Sequence, residues 1–116
     1  MPIQVLQLSA WAKERVNHNA ALGSEYKNLV KGLGAMIIQN GLLGTIVFLR
    51  VKAADRKPHR AVIEDIQAFL NNEGYRVDLF GDISFRDEEY LQITTRVLEM
   101  VKWLRRYVDI LIQGEE

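Results

Sequence analysis

Apolar residues recur along most of the chain at the three-and-four spacing that lines one side of a helix, and the elements can be laid out from that pattern first. Val5, Leu8, Ala12 and Val16 form one such stripe and predict an amphipathic first helix ending near residues 20–23. Ser24 is a candidate N-cap for a second helix running towards Gln39, with Leu29, Leu33, Met36 and Ile37 on its buried face. Glycines at 32, 34, 41 and 44 make this region rich in small residues and predict a kink or tight turn at Asn40-Gly41. Leu42, Leu43, Ile46, Val47, Phe48 and Leu49 surround the next segment on nearly every side, so it is expected to be a central third helix covered by its neighbours, with a strand as the competing reading. Val62, Ile63, Ile66, Phe69 and Leu70 mark a fourth helix that stops before Gly74, and residues 74–86 read as a loop with at most a short helical turn.

The last segment has the clearest period. Tyr90, Ile93, Val97, Val101, Leu104, Val108 and Leu111 alternate by three and four, which predicts a helix from about Asp87 to Gln113. Ser84 or Asp87 can cap it, and Glu88 and Glu89 in its first turn complement the helix dipole. Met100, Trp103, Tyr107 and Ile110 add a second apolar flank, more than one core stripe requires. Either this helix crosses the middle of the domain, or another molecule covers the flank. The fold class expected is all-α: one domain over residues 1–116, a compact bundle of about five helices with a long C-terminal helix.

Composition narrows the function. The chain has 116 residues, no cysteine and two histidines, which leaves no disulfide framework, no thiolate metal site and no zinc centre. No basic segment precedes an apolar one at the start, so no secretion signal is expected. The longest apolar stretch, residues 33–49, is interrupted by Gln39, Asn40 and Thr45 and reads as core, not as a membrane span. A cytoplasmic protein is expected.

Fifteen basic and fifteen acidic residues cancel overall but are unevenly placed. Residues 1–60 carry nine Lys/Arg against three Asp/Glu, and residues 61–116 carry six against twelve. Arg50, Lys52, Arg56, Lys57 and Arg60 are the densest basic segment, opposed by Asp55 alone, and Arg96, Lys102, Arg105 and Arg106 restore positive charge near the C-terminus. Such bipolarity suits head-to-tail association or a phosphate-bearing partner.

No catalytic constellation stands out. Asp87, Glu88 and Glu89 could be drawn as a metal-binding or nuclease cluster, yet adjacent helical positions point about 100° apart and a first turn favours acids anyway. His18 and His59 have no acidic or serine partner nearby, and Gly32-Leu33-Gly34 follows a helical segment, not the strand that a nucleotide-binding motif requires. Cations beside aromatic rings, as in the Arg96, Trp103 and Tyr107 flank, suit nucleic acid better. The competing reading keeps Trp103 and Tyr107 in an interface, with Glu99 paired to Lys102 and Arg105 to Asp109 at helical spacing.

Tyr26, the run Gln39-Asn40-Gly41-Leu42 into Ile46-Val47-Phe48-Leu49, then Tyr90, Thr94 and Trp103-Leu104-Arg105-Arg106-Tyr107 resemble the small all-helical subunit of the type III-B CRISPR effector, the Cmr or RAMP-module complex, over roughly residues 5–112. The resemblance implies a noncatalytic subunit without cofactor, metal or small-molecule substrate, present in several copies beside other subunits. It further implies contacts to the backbone of crRNA-bound target RNA without reading sequence. Lys102, Arg105 and Arg106 carry over within the matching motif, whereas Lys13, Arg15, Arg50, Lys52, Arg56, Lys57 and Arg60 enter from charge alone. Trp103, Tyr107 and Tyr90 are the candidate interface aromatics. The alternative is a helical protein-protein adaptor that does not touch RNA.

Overall fold

Why the chain reverses where it does is decided at one glycine. The structure, a computed structural model, describes residues 4–113. Its helices are α1 (Val5–Asn19), α2 (Gly23–Ala53), α3 (Lys57–Asn72) and α4 (Asp87–Leu111), with a 3-10 turn at Ala20–Leu22 between the first two. The expected second and third helices are the two arms of α2, joined without a loop, so four α-helices stand among the described residues where about five were expected. Gly41 is the joint, at φ 79°, ψ 161°, a conformation open essentially to glycine. Sixteen residues before it Glu25, and fifteen after it Arg56, approach to 3.4 Å, so the arms fold back on one another. A straight helix over that span would hold them roughly 45 Å apart.

The reversal leaves backbone groups without helical partners, and nearby hydroxyls take them up. The Leu43 N–H donates to the Tyr90 hydroxyl at 2.9 Å, and the Thr45 hydroxyl donates to the Gly41 carbonyl at 2.9 Å. A Cβ on Gly41 would lie 3.4 Å from that tyrosine oxygen, so the joint is fitted to α4 as well as to its own dihedrals.

Leu8, Ala12 and Val16 of α1, Leu33 and Ile37 of the first arm, Leu42, Ile46 and Leu49 of the second, Val62, Ile66 and Phe69 of α3 and Ile93, Val97 and Leu104 of α4 fuse into one buried cluster. These stripe residues face inward as read, whereas Val5 at the start of α1 is exposed. One apolar window within residues 5–53 is long and apolar enough to cross a membrane by composition, and 33% of it is buried inside the protein.

Four details differ from the sequence reading. Ser24 lies inside α2, and Leu22 precedes the helix without a capping side chain. Arg86 holds the N-cap position of α4, also without a side-chain cap, so Asp87 falls in the first turn beside Glu88 and Glu89, which occupy it as expected. The helix ends at Leu111. The second arm of α2 is covered on one side only: Leu43, Val47, Phe48 and Val51 are exposed, because α3 and the first arm leave its outer face open.

Gly32 is exposed on regular helix with nothing within 4 Å of a would-be Cβ. Gly32→Ala is expected to stabilise the fold by about 0.5–1 kcal/mol, and Gly41→Ala to destabilise it by roughly 1–3 kcal/mol. Urea unfolding midpoints of the two variants should move in opposite directions; movement in the same direction overturns this account of the joint.

Candidate nucleic-acid interface

Whether a cation can meet a phosphate depends first on whether the fold has already given it a carboxylate. Arg15 has one. Its Nε donates to Asp65 Oδ1 at 2.7 Å, and Asp65 is fully buried. Asn19 Nδ2 (3.1 Å) and the Tyr26 hydroxyl (2.6 Å) donate to the same carboxylate, so α1, α2 and α3 are joined by one acid. Burial pushes the Asp65 carboxyl above the ordinary carboxylate range, against the pull of hydrogen bonds from Tyr26, Arg15 and Asn19. Burial, then the adjacent carboxylate, pushes the Tyr26 phenol far up, so it remains a donor. Arg15 thus holds the core together, and its charge is engaged inside the molecule.

Arg96 is similarly committed. It donates to the buried carboxylate of Glu73 at 2.7 Å and to Glu99 at 2.7 Å, with its guanidinium 5.7 Å from the Phe69 ring centre. This corrects the expected Glu99–Lys102 pair. Asp109 meets Lys31 at 3.2 Å and Lys27 at 4.0 Å, in place of the expected Arg105. Lys27, nearly buried, also donates to the Ile112 carbonyl at 3.1 Å, supplying from α2 the positive charge that the last turn of α4 lacks.

These commitments leave two basic surfaces. On α4, Lys102, Arg105 and Arg106 are exposed, and none makes an ion pair within 4 Å among the described residues. The Arg106 guanidinium lies 4.8 Å from the centre of the Trp103 ring, which stacks on Tyr107 at 6.4 Å. Both rings are half-buried, and the Tyr107 hydroxyl pairs with Ser9 of α1 at 2.7 Å, so the aromatic flank is partly covered from within the chain. Tyr90 serves the α2 joint and packs edge-on against Phe85. Lys13 on α1 is exposed.

The second surface is the corner where α2 passes into α3. Lys52 stands 5.9 Å from the Phe48 ring centre and Arg60 5.6 Å from that of Phe80. Arg50 donates to the Gly81 carbonyl at 2.7 Å. Lys57 is exposed, while Arg56 and Arg60 meet Glu25 and Glu64 at 3.4 and 3.5 Å in exposed pairs that contribute little. Burial, then Arg56, lowers the His59 pKa, so the positive charge here comes from Lys and Arg.

Asp65, Asn19 and Lys27 were missed in the sequence. Asp65 was the readable one: it stands three residues after Val62 and four before Phe69, on the apolar side of α3, where a lone carboxylate must be paired. The acids opening α4 act as helix-terminal charges, with the Glu88 carboxyl held low by its own backbone N–H and by Arg86. No group of three metal-ligating side chains occurs among the described residues.

The model of the family described as CRISPR-associated protein (Cas_Cmr5) matches residues 4–111. The chain is also similar to a Thermotoga maritima protein named CRISPR system Cmr subunit Cmr5, with 36% identity over 96 residues, covering 79% of this chain and 70% of that one. No solved structure matches it.

The Asp65 carboxyl takes its proton at higher pH folded than unfolded, so ionisation opposes folding as pH rises through the folded value, and protonation relieves it below. Arg15→Ala strands the carboxylate and is expected to lower stability by about 3 kcal/mol at neutral pH. That penalty should shrink as pH falls towards the ordinary carboxylate range, and its pH dependence should vanish in an Asp65→Asn background. Denaturant titrations across pH measure it; a penalty that is independent of pH overturns the assignment.

Proposed function

The chain belongs to the Cmr5 family of CRISPR-associated proteins, and from that premise we propose that it is a noncatalytic small subunit of a type III-B Cmr ribonucleoprotein complex in the cytoplasm. It stacks in copies beside the other subunits and contacts the backbone of target RNA without reading sequence. The observation that carries this reading is the division of cations into two kinds. Arg15, Arg96 and Lys27 are tied to internal acceptors. Lys102, Arg105 and Arg106 project from α4 without carboxylate partners among the described residues.

Such unpaired cations gain from displacing counterions on a polyanion, while their long exposed stems make no base-specific hydrogen bond. Lys13 and the basic corner of Arg50, Lys52, Arg56, Lys57 and Arg60 extend the contact, and Arg15 takes no part in it.

A protein-protein adaptor without RNA contact is the second reading. It is favoured by the exposed Leu43, Val47 and Val51, which follow one another at one-turn spacing along the outer face of α2. The Trp103 and Tyr107 flank supports it less, because α1 already holds the Tyr107 hydroxyl.

The three α4 cations alone are expected to contribute about −2 to the logarithmic salt slope on single-stranded phosphate, roughly a twentyfold share of the affinity lost between about 50 and 200 mM salt. Arg105→Ala combined with Arg106→Ala should make the slope shallower by about 1.4 without moving the melting temperature. Polarisation titrations with single-stranded RNA test both. Salt-independent binding, or none when the other subunits are supplied, leaves the adaptor.

A further inference from the structure

Phe80 is exposed although its neighbour Leu79 is fully buried, and nothing in the core requires an aromatic ring at that position. The backbone carrying it is nevertheless firmly held. Gln67 of α3 accepts the Leu79 N–H at 2.7 Å and donates to the Val77 carbonyl at 2.8 Å. The Phe80 N–H donates to Asp78 Oδ1 at 3.0 Å, and Arg50 of α2 donates to the Gly81 carbonyl. An exposed ring is therefore presented on a segment pinned to two helices. It is one wall of a cavity of about 310 Å³ lined by Arg50, Ala53, Ala54, Arg60, Ile63 and Phe80.

We propose that this cavity is a stacking subsite for one base of a single-stranded polynucleotide, with Phe80 as the platform and Arg50 and Arg60 contacting the adjoining phosphates. It rests on the polyanion reading above and adds a base contact to it. The small side chains of Ala53 and Ala54 leave space that a flat heterocycle fills. Guanidinium groups come from both helices, and no carboxylate lines the cavity. Arg60 already lies over the ring, and its pairing with Glu64 at 3.5 Å is exposed on both sides, so the guanidinium is free to move onto a phosphate or the far face of a base.

An apolar protein segment fits less well, because two guanidiniums would lose water without an acceptor. The lining offers no side-chain hydrogen-bonding group besides those guanidiniums, so the subsite grips a base by its face and tolerates any base.

The test compares a short oligouridylate with an abasic ribose-phosphate oligomer of equal length, titrated against the full chain at low salt. The oligouridylate should bind about 5- to 160-fold more tightly, the worth of one stacked base. Phe80→Leu should abolish that difference and leave abasic affinity unchanged, Phe80→Trp should retain it, and all variants should melt with the parent. Equal binding of the two oligomers by the parent chain overturns the subsite while leaving the polyanion reading intact. So does an equal loss for both oligomers in Phe80→Leu, which would make the ring a support for Arg60. Binding of neither oligomer overturns the subsite, and the polyanion reading falls with it when RNA binding is also absent with the other subunits supplied.

Discussion

The buried carboxylate of Asp65 is the constraint around which the bundle is arranged. A charge taken out of water is tolerable only when donors converge on it, and here they come from Arg15 and Asn19 at the end of α1 and from Tyr26 at the start of α2. Satisfying one acid therefore fixes where two other helices begin and end. Hydrophobic packing alone would leave α1 freer to slide along α4, since apolar contacts lack direction.

From that anchored corner, Gly41 sets the rest of the layout. The first arm of α2 runs away along α4 and the second returns against α3, so Glu25 near the start of a 31-residue helix and Arg56 just past its end become neighbours. The basic segment at the end of α2 is thereby brought beside residues 79–81, where Arg50 meets the Gly81 carbonyl and Arg60 meets Phe80. The same reversal exposes the outer face of the second arm, which presents Leu43, Val47 and Val51 as an apolar surface.

Charge in this molecule has a similar two-part character. Cations near buried acids act as fasteners between helices, while Lys102, Arg105 and Arg106 on the outer face of α4 and Lys57 at the α2–α3 corner stay exposed to solvent. A neutral total conceals this, because acids and bases on one surface cancel in the sum without cancelling in space.

The linear pattern determined a good deal by itself: helical class, the stripes of α1, α3 and α4, the break at Asn40-Gly41 and the acidic opening of α4 are all local, written in side chains three or four residues apart. The family motif was legible for the same reason, as a short ordered set of residue types. What packing alone decided were the pairings across distance. Arg15 finds an acid fifty positions away, Arg96 turns to Glu73, and Asp109 meets Lys31 instead of the expected Arg105. A cation at a given spacing looks identical whether it faces solvent or a neighbouring helix. Its fate depends on helix rotation and on the angle set at Gly41, which belong to the assembled core and to no single segment.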